Sequence, residues 1–247
     1  MLESDRSHAA IRITYIGLVI NIVLTAGKLI AGIVGSSSAM VADSVHSLSD
    51  FATDIVVIVS FLFFVSKPRD TTHSYGHGKF ETMASLVIGG ALLLVGLGIA
   101  WNGGHQIWRS LHGEVLERPG IIALVAAAVS IVLKEILYRM TAHVADRIQS
   151  DAVRANAWHH RSDAFSSIGT MIGIGGAIFL GERFRILDPI AGVVVSIFII
   201  KVAISIAWQA ISELLETALP EKSIQEITAT ITAVQGIRNI HNVRTRK

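Results

Sequence analysis

The chain has 247 residues, 51% of them hydrophobic and 16% charged, with a mean hydropathy of +0.57. Soluble domains carry about 25% charged residues, so this composition is that of an integral membrane protein. The absence of cysteine excludes a disulfide framework and a thiolate metal site, and a formal net charge of +2 gives no footing for a nucleic-acid partner.

The opening MLESDRSHAAIR is polar and mixed in charge, which predicts no cleavable signal peptide. A bilayer core needs about 20 apolar residues in a helix. Six segments meet that length, at 12–34, 39–65, 81–108, 119–142, 152–180 and 187–210. The third is rich in glycine (Gly89, Gly90, Gly96, Gly98), which suits close helix–helix approach. After Leu219-Pro220 the sequence turns polar and reads as a short amphipathic helix followed by the start of a strand. Lys67, Arg69 and Lys79 in one loop and Arg139, Arg147 and Arg154 in another predict that both loops and both termini are cytoplasmic.

Two polar stretches interrupt the apolar runs. ADSVHSLSDF covers 42–51, and AWHHRSDAFSS covers 157–167. Each contains His-x-x-Ser-Asp: His46 with Asp50, and His159 with Asp163. Positions i and i+4 share a helix face, so each pair presents an imidazole beside a carboxylate. Asp43 lies near the same face as His46. A carboxylate at the centre of a spanning helix costs about 2.5–3.5 kcal/mol, which a structural residue rarely justifies twice. Counted from the outer ends of their spans, Asp50 and Asp163 lie at depths of ~22 and ~27 Å, so antiparallel helices can bring them together. Two imidazoles and two carboxylates make a four-coordinate set that suits tetrahedral zinc. His160 points about 100° away and reads as a gate or packing residue. A second cluster, KPRDTTHSYGHGKFE, places Asp70, His73 and His77 in a short loop broken by Pro68 and Gly76. By itself it reads better as a solvated polar loop than as a metal site.

Taken together, GSSSAMVADSVHSLSD, HSYGHGK, RANAWHHRSD and LLETALP resemble the cation diffusion facilitator family over nearly the whole chain. The resemblance implies an all-α membrane protein of six transmembrane helices over 1–219. It implies that 220–247 begins a cytoplasmic α+β, metallochaperone-like domain, of which the chain holds only the start and which is truncated here. It also implies a homodimer in the lipid bilayer, with no nucleic-acid partner, that exports a divalent metal ion in exchange for protons from a multi-pass position in the plasma (inner) membrane. The transport site it implies is His46, Asp50, His159 and Asp163. A loop site would use Asp70, His73 and His77, a charge interlock would join Lys79 to Glu216, and His241 would be a ligand in the soluble domain. Zinc is the expected cargo, with iron, manganese, cadmium or cobalt as alternatives, and no cofactor is expected beyond the metal carried. An intramembrane metalloprotease would need His-Glu-x-x-His, which the sequence lacks. A metal sensor that moves no ions is the remaining alternative.

Overall fold

In the computed structural model, residues 3–60, 70–72, 77, 79–148, 150–237 and 240–246 are described, with backbone only at 3–10, 51–60 and 151–152. Six long helices dominate them: α1 (Glu3–Val34), α2 (Ser38–Ser60), α3 (Lys79–Leu111), α4 (Ile121–Ile148), α5 (Asp151–Phe179) and α6 (Leu187–Leu214). A short helix, α7 (Glu221–Thr232), follows, and a single 3-10 turn at Glu182–Phe184 joins α5 to α6. Among the described residues, four stretches are long and apolar enough to cross a membrane: Ile11–Val34, Lys79–Leu111, Ile121–Ile148 and Glu182–Leu214. The other two expected spans fall on α2 and α5. At 23 and 29 residues both exceed the ~20 needed, but they carry the polar residues singled out above.

The elements start and stop for local reasons. After α1, Gly35 and Ser36 turn the chain, Ser36 at a left-handed φ of 47°. Ser37 then caps α2, its Oγ accepting from the Met40 amide at 3.1 Å. Ser150 caps α5 in the same way through the Val153 amide. Gly181, at φ 96°, lies just beyond α5, a conformation that costs glycine little.

The chain divides into two units, residues 1–51 with 92–201 and residues 52–91 with 202–247. In the first, Ala39, Met40, Ala123, Ala127, Ile174 and Ile178 form a core among α2, α4 and α5. Ile13, Ala145, Ile148 and Val153 make a second cluster, and Ala42, Val195 and Ile199 a third. Small residues set the spacing: a Cβ on Gly173 would fall 2.5 Å from Ala191 Cβ, and one on Gly32 would fall 2.8 Å from the Val41 nitrogen. The usual sidedness of a soluble protein is inverted. Trp101 is 80% exposed and Leu94 73%, while Lys28 is 2% and Lys134 3% exposed. Apolar side chains face outward and ammonium groups inward, the arrangement a hydrocarbon solvent favours.

In the second unit, Gly89 lets α3 approach α6 at Ala207. Lys79 Nζ donates to the Glu213 carbonyl at 2.8 Å and lies 3.7 Å from its carboxylate. Thr82 Oγ1 donates to the same carboxylate at 2.7 Å. The expected amphipathic helix is α7. Residues 240–246 form no strand, and none is present among the described residues; a ladder needs a partner strand to pair with.

Candidate metal centre

α2 and α5 bring the central carboxylates face to face. Asp50, on α2, and His159 and Asp163, one turn apart on α5, each offer a ligand atom, and all three atoms lie within 4.8 Å of one another. His159 Nδ1 is 3.9 Å from Asp163 Oδ1. Asp163 is buried, Asp50 half-buried and His159 exposed, so the group opens on one side. Asp50 Oδ2 is buried with no hydrogen-bond partner among the described residues. A buried, unpartnered carboxylate oxygen is costly unless something fills its place.

His46 stands one turn before Asp50 and within electrostatic reach of it, together with His159, Asp163 and Lys134. Its own ring belongs to a neighbouring cavity of ≈ 570 Å³, lined also by Ser162, Phe165, Ser166 and Thr170. His46 Nδ1 is buried and likewise without a partner among the described residues. Three of the four expected ligands therefore converge, and the fourth borders the group. His160 packs against Gly17, with its ring nitrogen 3.4 Å from where a Gly17 Cβ would be. It is 3% exposed, in keeping with a packing position.

The sequence pattern did not single out two lysines that shape this region. Lys134, on α4, lies 2.6 Å from Asp163 Oδ2, both side chains almost fully buried. Lys28, on α1, lies 2.8 Å from Asp43 Oδ2. Lys28 also donates to Ser47 at 3.2 Å and to Ser167 at 3.0 Å, and Ser167 donates to Asp43 at 3.0 Å. Asp43 is therefore committed to an ion pair linking α1, α2 and α5, rather than to the convergent group. The available signal was the cost of a lysine inside an apolar run, which applies as strongly as the cost of an aspartate.

The other candidates lie elsewhere. In the loop, Asp70 accepts from the Thr72 amide at 2.9 Å and from its hydroxyl at 2.7 Å. Its other oxygen is 3.3 Å from His77 Nε2, and His77 stacks on Phe80. His73 lies outside the described residues. Lys79 reaches Glu213 rather than Glu216. Glu216 follows the end of α6 in a left-handed turn at φ 53° and pairs with Arg246 at 3.2 Å. His241 is exposed, and no metal-binding group includes it among the described residues.

Residues 14–215 match the family described as Cation efflux, the cation efflux transmembrane domain. The chain is similar to Metal tolerance protein 2 of Oryza sativa subsp. japonica, 38% identical over 268 residues, covering 99% of this chain and 68% of that protein. It is similar to Metal tolerance protein C1 of Arabidopsis thaliana, 38% identical over 248 residues, but spans only 52% of that relative's length. Manganese efflux system protein MneP of Bacillus subtilis (strain 168) is 30% identical over 250 residues, covering 100% of this chain and 82% of that protein.

Proposed function

The chain belongs to the cation efflux family, the cation diffusion facilitators, and from that premise we propose that it exports a divalent transition-metal cation from the cytoplasm in exchange for protons. The observation that carries the reading is the convergence of Asp50, His159 and Asp163 on helices in an otherwise apolar chain. Two carboxylates and an imidazole supply charge and an open coordination sphere, and neutral imidazole and ionised carboxylate are the forms that ligate. A cation held there exchanges readily with protons, because both seek the same lone pairs.

Manganese is the cargo that this donor set favours. Oxygen-rich sites suit harder ions such as Mn2+, and one relative sharing the whole chain is named for manganese efflux. Zinc is the second reading, favoured by His46 beside Asp50. If its ring turns from the cavity into the group, the set becomes two nitrogens and two oxygens, which suits tetrahedral Zn2+. In this reading the protein is a multi-pass homodimer of the plasma (inner) membrane with both termini cytoplasmic. Residues 1–219 form the membrane part, with α2 and α5 as the second and fifth crossings, and 220–247 belong to a cytoplasmic domain. Asp70, His73 and His77 form a loop site that tunes transport.

The test is flux into proteoliposomes, comparing Mn2+ and Zn2+ at equal concentrations. Saturable uptake of one ion, lost in Asp50→Asn and His159→Ala, is the expected result. Wild-type uptake by both variants would place the transport path elsewhere, and binding without flux would favour a sensor.

A further inference from the structure

The two buried lysines are not equivalent. Lys28 is held by Asp43, Ser47 and Ser167, and Asp43 does not belong to the convergent group. That network is closed and leaves the site alone. Lys134, by contrast, binds an oxygen of Asp163 itself, and Asp163 is one of the three converging ligands. A carboxylate on which the cargo would land already holds a cation.

We propose that Lys134 is the built-in counter-cation of the transport site: its ammonium holds Asp163 when metal is absent, and an arriving divalent ion must displace it. This rests on the reading of Asp50, His159 and Asp163 as the cargo site. The physical need is plain. Two carboxylates within 4.8 Å of each other, in surroundings of low dielectric, repel each other strongly when no cation is present. Lys134 supplies the missing charge from inside the fold, at 3% exposure. A divalent ion can displace it because it carries twice the charge and gathers several donors at once. A monovalent ion has neither advantage, so the lysine also acts as a filter against sodium and potassium. The same competition lowers affinity for the true cargo. A carrier must release what it binds, and a site that holds its ion too tightly does not turn over. When the ion leaves, the ammonium returns to Asp163 and the empty carrier is neutralised again.

A lysine that merely braced α4 against α5 would loosen the site when replaced, and metal would bind more weakly. A competing lysine predicts the opposite sign. The experiment titrates Mn2+ into the purified full chain at fixed pH and ionic strength, using wild type, Lys134→Gln and Lys134→Arg. Lys134→Gln should bind on the order of tenfold more tightly, as expected when a close charge partner is removed. In proteoliposomes the same variant should show a lower half-saturating concentration and a lower maximal rate. Lys134→Arg keeps the charge and should restore the weaker binding. Unchanged or weaker Mn2+ binding by a folded Lys134→Gln protein would overturn the proposal. If Lys134→Gln does not fold, wild type labelled with 15N-lysine gives a second test. The Nζ signal missing from Lys134→Arg should move when Zn2+, which is diamagnetic, saturates the site; an unmoved signal overturns the proposal. Wild-type Mn2+ binding by Asp50→Asn and Asp163→Asn would mean that the cargo site itself is misplaced and would remove the proposal with it, whereas failure of the lysine variants alone leaves the site standing.

Discussion

Asp50 and Asp163 belong to one convergent group, yet losing them should have different consequences. Asp163 neutralises Lys134, and removing one partner of a buried pair costs about 3–5 kcal/mol because the other charge is stranded. Asp50 has a buried oxygen without a partner among the described residues, so neutralising it strands nothing. Asp163→Asn is therefore expected to abolish metal flux and lower the melting temperature markedly, while Asp50→Asn abolishes flux with little thermal change. Adding Lys134→Gln to Asp163→Asn should recover most of the melting temperature and none of the flux. Melting curves beside flux on the same four proteins check this, and equal melting of the two single variants would refute the asymmetry. The pairing of His159 with Asp163, and of both with Asp50, was legible because i,i+4 spacing and depth are properties of a helix. The lysines escaped notice because a sequence shows that a charge is present, not which charge it meets. Glu213 and Glu216 differ for a similar reason: α6 ends between them, and the left-handed turn sends Glu216 to Arg246.

At the scale of elements, the first unit depends on two contacts that no periodicity reveals. Asp188, at the start of α6, accepts from Ser37 Oγ at 2.6 Å and from the Ser38 amide at 2.7 Å. It thus caps the N-terminus of α2 from 150 residues away, where a negative charge opposes the helix dipole favourably. Hydrogen bonds to charged groups contribute about 1.5–3 kcal/mol, and Asp188→Ala should lose stability of that order in a denaturant titration. The second contact is Gly173, whose missing Cβ lets α5 approach α6 at Ala191. Gly173→Ala should cost about 1–3 kcal/mol by overpacking. Gly169, one turn away with open space around it, should accept alanine without loss, and an equal penalty at both would show that backbone freedom rather than space decides. Helix positions were readable from apolar length. The polar helices α2 and α5 were readable too, because their charges are few and sit at helical spacing. The strand expected after α7 is absent among the described residues, since a strand depends on pairing that the local sequence cannot supply.

For the whole molecule, the proposed exchange predicts a coupled proton current. Vesicles loaded with a pH dye and given a Mn2+ gradient should show proton movement opposite to the metal, lost in His159→Ala. Metal flux with no pH change, where the dye answers to a protonophore, would make the protein a uniporter. The pair joining Lys28 to Asp43 has a consequence of another kind, for the birth of the protein. Each of the two alone would burden its helix by about 2.5–3.5 kcal/mol at the bilayer centre. They lie 15 residues apart in sequence, on either side of the turn at 35–37, and at 2.8 Å in space. In the proposed six-span reading, α1 and α2 would enter the bilayer most cheaply as a hairpin already closed on its own charge, rather than one helix at a time.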